Sequence, residues 1–342
     1  MATGHRTDLL ERQGHDRHGK LGLTDEDVLQ IYEAMLLARR LDERMWILNR
    51  GGQASFVISC QGQEAAQVGA AWALDRERDW VYPYYRDVGL VLVLGVTPRE
   101  LMLALLGKAE DPASGGRQMP NHFSSPERRI APQSSVVGTQ IPQAAGTALA
   151  SKIRGDGAVT LVTFGEGATA EGDFHEGLNF AAIHKVPAVF LCENNRYAIS
   201  VPVEKEVSVP DVADRALAYG IPGVAVDGND PLEVYRATRE AVERARAGEG
   251  PTLIEAKTYR LLAHSSDDDD SGYRPREEVE AWKKKDPIPR FAAYLKEQGL
   301  IDHGGLQAME ERIRQIVDDA TDYAEQAPYP RAEHLLDHVY GD

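Results

Sequence analysis

Two short polar clusters carry the residues of this sequence best suited to chemistry. Gly165-Glu166-Gly167 follows the apolar run 158–164, and Glu193-Asn194-Asn195 follows a second apolar run, 188–192. Glu166 offers a hard anionic oxygen and Asn195 a neutral one. A magnesium-sized cation takes about six oxygens in an octahedron and prefers a few protein ligands plus phosphate. An acid, an amide and a diphosphate would meet that need. The flanking glycines let backbone N–H groups come close to phosphate oxygens. The plainer reading is that the glycines make a turn and the asparagines cap one. The pairing of both clusters across one strand–helix–strand unit favours a site.

The elements that must position these residues follow from periodicity. Residues 158–164 and 188–192 read as buried strands, joined by a helix over 174–184, which makes a βαβ unit and hence a parallel sheet. Further strands are expected at 224–226 and 252–256, with helices at 212–219 and 232–247. Both faces of such a sheet must be covered, so the expected class is α/β, a doubly wound and mostly parallel sheet with N-terminal and C-terminal helical extensions. Ligands of such sheets bind at the carboxyl ends of the strands, where both clusters lie. Upstream, Thr24 and Asp27 form a helix-start pair. Val28, Ile31, Met35, Ala38, Leu41, Met45 and Leu48 then recur at helical spacing up to Gly51-Gly52. Helices are also expected at 63–74, 98–106 and 142–152, the last rich in small residues that suit close packing. Residues 107–135 form a long loop of a kind that is usually functional. The domain reading is a loose, flexible polar arm over 1–22, an α/β domain over 23–275 and a helical extension over 276–342 that packs on the core or on a partner.

With 342 residues, 42% hydrophobic and 27% charged, the chain has an ordinary globular composition. Its net charge of −16 argues against a general nucleic-acid surface, and an anionic ligand needs local positive charge to overcome that field. Cys60 and Cys192 belong to no metal-type or CxxC cluster and read as small buried residues of a reducing compartment. No apolar run reaches the ~18 residues that span a membrane. The N-terminal stretch lacks the features of a signal or transit peptide, so a cytoplasmic location is expected. Two familiar phosphate motifs fail. No GxxxxGK[ST] occurs, and Gly165, Gly167 and Gly172 do not space as GxGxxG.

The sequence GEGATAEGDFHEGLNFAA (165–182) with CENNRYAIS (192–200) resembles the cofactor motif of the alpha subunits of 2-oxoacid dehydrogenase decarboxylase components, which use thiamine diphosphate. YYRDVG (84–89), GGRQMPNHF (115–123), SSVVGTQIPQAAG (134–146), AHSSDDDDSGYR (263–274) and KKDPIPRF (284–291) resemble that family's segments in the same order, so the resemblance covers nearly the whole chain. It implies that Glu166, Asn195 and the Tyr197 carbonyl bind Mg²⁺. Tyr85, Arg86, Ser135, Val137, Gly165, Gly167, Ala168 and His264 would lie at thiamine diphosphate, with Arg86 on the diphosphate. Ser134, Val136, Thr139 and Gln140 match a loop that holds K⁺ in some members. A structural Ser/Thr-rich turn is the other reading of that loop.

His264 is the implied catalytic residue, beside the thiazolium. A cationic or donating imidazole there suits an anionic 2-oxoacid. The acidic run 267–270 reads either as a solvated charge cluster or as a loop that orders with the cofactor, its aspartates pairing with Arg117 or other basic loop residues. His122 and Arg117 could help order the site, and His175 and His184 read as packing or surface residues. Three departures stand out. Gly-Glu-Gly replaces the Gly-Asp-Gly of many members. Glu193 replaces a basic, diphosphate-touching residue of some relatives. Ala263 stands where some have a second histidine. Ser265 matches a serine phosphorylated in mitochondrial relatives, and no phosphorylation is expected here.

The implied reaction is oxidative decarboxylation of a 2-oxoacid, with transfer of the acyl group to a lipoyl group. The implied partners are a beta subunit, in an α2β2 heterotetramer whose interface completes the site, and a lipoyl acyltransferase core. The stretch from DDDDSGYR to DPIPRF looks most like branched-chain 2-oxoacid members (3-methyl-2-oxobutanoate dehydrogenase, of branched-chain amino acid catabolism), and pyruvate-using members share much of it. A nicotinamide-dependent oxidoreductase would need the fingerprint that fails above. A non-catalytic scaffold subunit would have lost Glu166, Asn195, Arg86 or His264, and all four are present.

Overall fold

A computed structural model describes residues 16–337 and Val339. Most of the N-terminal arm, residues 1–15, therefore lies outside the described residues. The remainder of the arm is not loose. Arg17–Lys20 forms a helical turn, α1, in which buried His18 bonds the Tyr294 hydroxyl at 2.7 Å. Helix α2, Asp25–Arg50, starts at the Thr24/Asp27 capping box, ends at Gly51, and buries all seven periodic residues.

Then follow α3 (Glu64–Trp72), β1 (Trp80–Tyr82), α4 (Val88–Val93), α5 (Pro98–Leu105), α6 (Gln140–Arg154), β2 (Thr160–Gly165), α7 (Gly172–His184) and β3 (Ala188–Asn194). A two-stranded hairpin, β4 (Tyr197–Ala198) and β5 (Val201–Pro202), precedes β6 (Gly223–Asp227), α8 (Pro231–Arg246) and β7 (Thr252–Lys257). Three helices close the chain: α9 (Arg276–Lys283), α10 (Pro287–Glu297) and α11 (His303–Gln326). The expected helix at 212–219 is a 3₁₀ segment, and β1 and α4 were not anticipated.

The main sheet runs β1-β2-β3-β7-β6, every pair parallel. Along β3, Val189 and Leu191 face one core with α2, α3 and α8, whereas Ala188, Phe190 and Cys192 face a second core with α6 and α7. This is the doubly wound arrangement, with both strand faces buried. Helices α6 and α7 meet closely because Gly177 has no side chain: a Cβ there would stand 2.7 Å from the Ile141 side chain. Ile288, Phe291 and Leu295 of α10 and Met309, Ile313 and Val317 of α11 join the first core, so these helices are part of the packed body. Cys60 and Cys192 are free and buried.

Helix α2 also governs the segment 57–63. Asp42, fully buried, accepts from the Ser59 hydroxyl (2.8 Å), the Cys60 N–H (3.0 Å) and the Gln61 amide (2.8 Å). Arg39 bonds Glu64 (2.5 Å) and Asp286 (2.8 Å), and Glu64 accepts from the Gly62 N–H at 2.9 Å. Burial pushes the Asp42 carboxyl up to about 6, against the three donors that pull it down. The folded chain therefore holds this proton more tightly than the unfolded chain, and the associated stability is lost as pH rises from about 4 through about 6. Urea unfolding of the wild type and Asp42→Asn at pH 4.5 and 7.5 should show the wild type losing about 2 kcal/mol more than the variant over that interval. Parallel pH dependences would exclude this origin.

Candidate active site

The register places Gly165 opposite Glu193 at the carboxyl ends of β2 and β3. Glu166 begins a 3₁₀ turn, Glu166–Ala170, and Asn195 immediately follows β3. One Glu166 oxygen, Oε2, accepts the Asn195 N–H at 2.9 Å. The other, Oε1, is buried with no hydrogen-bond partner. Burial pushes this carboxyl up to about 7, with backbone donors opposing. A buried, unsatisfied carboxylate oxygen is costly unless a cation or donor meets it. Asn195 Oδ1 lies on the same turn, 3.4 Å from the Tyr197 N–H, and the Tyr197 carbonyl accepts from Arg260 at 3.1 Å while retaining a second lone pair. One acid, one amide oxygen and one carbonyl fit a hard oxygen-seeking cation. At Gly167 a Cβ would meet Ala198 at 2.8 Å, so hairpin β4–β5 is what demands this glycine. Buried Ala168 continues the turn.

The positive charge that the sequence required comes from Arg86, which is 1% exposed. Its guanidinium donates to the Ser59 carbonyl (2.8 Å), to the His264 carbonyl (3.0 Å) and to His264 Nδ1 (3.0 Å). No carboxylate pairs with it among the described residues. Arg260, missed in the sequence, is a second buried cation with no acid partner among the described residues. It bonds the Tyr197 and Ile199 carbonyls and the Tyr273 hydroxyl, and burial and the Arg86 charge lower it to about 10. The only sequence signal for Arg260 is its position four residues before His264. Two buried, acid-free guanidinium groups in an acidic chain make a local anion site.

His264 brings the two halves together. Arginine can only donate, so Nδ1 accepts and the neutral ring carries its proton on Nε2. Burial, then the Arg86 and Arg260 charges, push the imidazole down to about 3. Of the two expected forms, the cationic one is thus overturned and the donating neutral ring remains. Tyr85 stands edge-on to His264 at 6.3 Å and beneath Arg86 at 5.3 Å.

The loop 264–274 is held by its own residues and by Val57, whose carbonyl accepts from the Ser266 N–H at 2.9 Å. Asp268 accepts from the His264 N–H at 2.7 Å and from the Tyr273 hydroxyl, and Asp270 pairs with Arg274. The expected partner Arg117 instead donates to the His334 and Asp337 carbonyls, at 2.8 and 3.0 Å. These aspartates lie within reach of Arg274 and Tyr273, neighbours in sequence, whereas Arg117 is tied to the C-terminal segment.

Ser134 Oγ accepts from Val136 N–H at 3.1 Å and Thr139 Oγ donates to the Val136 carbonyl at 3.2 Å, so this loop is a tight turn. Gln140 ties α6 to β2 through the Thr163 carbonyl (3.0 Å), leaving its own buried Oε1 without a partner. Ser135 meets His122, and Val137 packs on the second core. Glu193 points away from the anion site, toward Gln67 and Tyr84, each at 3.2 Å. Burial first, and then Asp87, raise its pKa, which suits a proton held between the two acids. It is no phosphate ligand. His175 bonds the Tyr219 hydroxyl and His184 packs on Phe180, away from the site.

Among known proteins, a family model described as "Dehydrogenase E1 component" matches residues 32–333. The chain is 60% identical to the 2-oxoisovalerate dehydrogenase subunit alpha of Bacillus subtilis over 325 residues, 95% of this chain and 98% of that one. It is 42% identical to the 3-methyl-2-oxobutanoate dehydrogenase subunit alpha of Mycobacterium tuberculosis, over 94% of this chain and 84% of that one. A pyruvate dehydrogenase E1 component subunit alpha of Staphylococcus aureus is 40% identical, over 94% and 84%. The ordered motifs, the parallel sheet and these matches agree: the chain belongs to the dehydrogenase E1 component family.

Proposed function

We propose that this chain is the alpha subunit of a branched-chain 2-oxoacid dehydrogenase. With a beta subunit it would oxidatively decarboxylate 3-methyl-2-oxobutanoate and its homologues and pass the acyl group to lipoyl-lysine of an acyltransferase core. The observation that carries this reading is the pairing of an acid-free, buried Arg86 with the neutral ring of His264, joined through Arg260 to the Tyr197 carbonyl beside the Asn195–Glu166 turn, where a buried Glu166 oxygen lacks a partner. Thiamine diphosphate supplies the electron sink for decarboxylation when bound. Glu166, Asn195 and the Tyr197 carbonyl would hold Mg²⁺, and Arg86 with Tyr85 would hold the diphosphate. Gly165, Gly167 and Ala168 shape the turn beside it. His264 Nε2–H would donate to the substrate and handle its proton. Ser134, the Val136 carbonyl, Thr139 and the unpartnered Gln140 oxygen would suit K⁺.

Exposed apolar side chains at the site support a beta subunit as its cover. Val136, Ile199 and Val201 are 65%, 57% and 42% exposed on the loops that carry these residues. Their cover by a second chain, in an α2β2 assembly, would exclude water from the reacting atoms. The 60% relative favours the branched-chain substrate, and the pyruvate relative keeps acetyl transfer as the second reading. No helix among the described residues is long and apolar enough to cross a membrane.

Three measurements test the assignment on the reconstituted alpha–beta pair. Glu166→Ala and Asn195→Ala should each abolish the Mg²⁺ dependence of thiamine diphosphate binding, and unchanged metal-dependent affinity would remove both from the metal site. Arg86→Ala should weaken cofactor binding by ~1.5–3 kcal/mol, the worth of a charge-assisted bond, whereas His264→Ala should lower turnover by ~10²–10⁴-fold with cofactor affinity largely kept. Equal loss of both properties in His264→Ala would deny it a catalytic role. The ratio of kcat/KM for 3-methyl-2-oxobutanoate to that for pyruvate should exceed unity by about 10-fold or more, given ~1–3 kcal/mol per added methylene in a fitted apolar pocket. A ratio below one would establish the pyruvate reading.

A further inference from the structure

The long loop 107–135 carries a histidine that the cofactor contacts above do not use. His122 is 8% exposed, and its two ring nitrogens have different partners. Nδ1 stands 3.1 Å from the Pro120 carbonyl and Nε2 stands 2.5 Å from the Ser135 hydroxyl. A carbonyl cannot donate, so the neutral ring must carry its proton on Nδ1. Nε2 is then an acceptor, and the Ser135 hydroxyl must give its proton to it. The ring is held in place by its neighbour Asn121, a non-glycine residue in the left-handed region at φ 62°. Asn121 donates to the Ile58 carbonyl at 3.1 Å and accepts through its own carbonyl from Gln133 at 2.7 Å. Left-handed backbone at a non-glycine residue persists where surrounding bonds enforce it, and such residues cluster at functional sites.

This anchor ties the histidine to the site. Ile58, which holds Asn121, precedes Ser59, whose carbonyl holds Arg86. Asn121, the residue before His122, and Arg86 thus hang from adjacent carbonyls of one segment. Ser135, in contrast to His122, is exposed on the open side. A buried acceptor beneath an exposed serine, itself oriented by a third group, is the geometry by which an active site fixes a hydroxyl.

We propose that His122 is a positioning residue for the 2-oxoacid reaction: its Nε2 accepts the Ser135 O–H hydrogen bond, so that Ser135 presents only oxygen lone pairs to a donor of the bound substrate or cofactor. This rests on the function proposed above and adds a residue to its site.

The test uses the alpha–beta pair with thiamine diphosphate, Mg²⁺ and 3-methyl-2-oxobutanoate, and four variants. Ser135→Ala and His122→Ala should each lower kcat/KM by about 10-fold, one hydrogen bond's worth at 1.4 kcal/mol per decade, and the double variant by no more than either alone. His122→Gln places an amide oxygen near Nε2 and should recover most of the loss. His122→Asn keeps only the Pro120 contact and should not. Multiplicative losses in the double variant, or rescue by Asn instead of Gln, would show that His122 merely supports the loop. A second readout needs no turnover: ¹⁵N shifts of the histidine rings in the full alpha chain, with His122 assigned through His122→Gln, should show a protonated Nδ1 and a bare Nε2. The opposite tautomer overturns the proposal even where an alanine variant fails to fold. Wild-type enzyme inactive on every 2-oxoacid, with the tautomer as stated, would instead defeat the proposed function and leave the dyad's geometry standing.

Discussion

A buried guanidinium without an acid partner is the constraint to which the rest of the site answers. Taking an arginine out of water is expensive, and an ion pair is the usual remedy. Arg86 has instead two carbonyls and a ring nitrogen. Neutral acceptors satisfy its donors without cancelling its charge, so the charge stays available to an anionic ligand. The same choice sets the state of His264. A ring that must accept from arginine, next to two positive charges, stays neutral and turns its N–H outward. The proposed cofactor binding and proton handling would thereby be two results of one arrangement.

The acidic side of the site uses the opposite device. Glu166 is buried with one oxygen served and one bare, a cost that a bound cation or donor would relieve. Glu193 and Asp87 also lie fully buried nearby, but facing the helices, where Tyr84, Gln67 and Thr163 meet them. Two carboxyls in one apolar pocket cannot both ionise, and a raised pKa on both is the physical outcome. The glutamate that replaces a basic residue of some relatives therefore brings little negative charge to the diphosphate. Its role is to brace Tyr84 and Gln67, and Gln67 in turn holds the Arg86 carbonyl at 2.9 Å.

What the sequence made legible were local patterns. The βαβ unit, the periodic face of α2 and the two strand-end clusters were visible because period and neighbours suffice to define them. The three-residue strand β1 has no period to read, and α4 is buried on nearly every side, so its apolar run is equally consistent with a strand. The resemblance brought Arg86 and His264 onto one list, but their contact spans 178 residues. Only the fold could show that the arginine fixes the tautomer of the histidine. Asp42 and the pairing of His122 with Ser135 have no sequence signature, and Arg260 has only its spacing from His264, because each owes its role to a carbonyl or hydroxyl delivered by another segment.

The position of Asp42 and Arg39, one turn apart on α2, explains why a site made of loops can be precise. Loops alone hold side chains loosely, and catalytic geometry tolerates errors of only about half an ångström. Asp42 fixes the segment that supplies Ser59 to Arg86. Arg39 fixes Glu64 behind the same segment, and reaches Asp286 at the head of α10. The helical extension is thus tied to the segment that holds Arg86 through two charged contacts in addition to its core packing. Replacing Asp286 would leave Arg39 buried with one acid, Glu64, instead of two. The DPIPRF segment, remote from the strand ends in sequence, belongs mechanically to the active site.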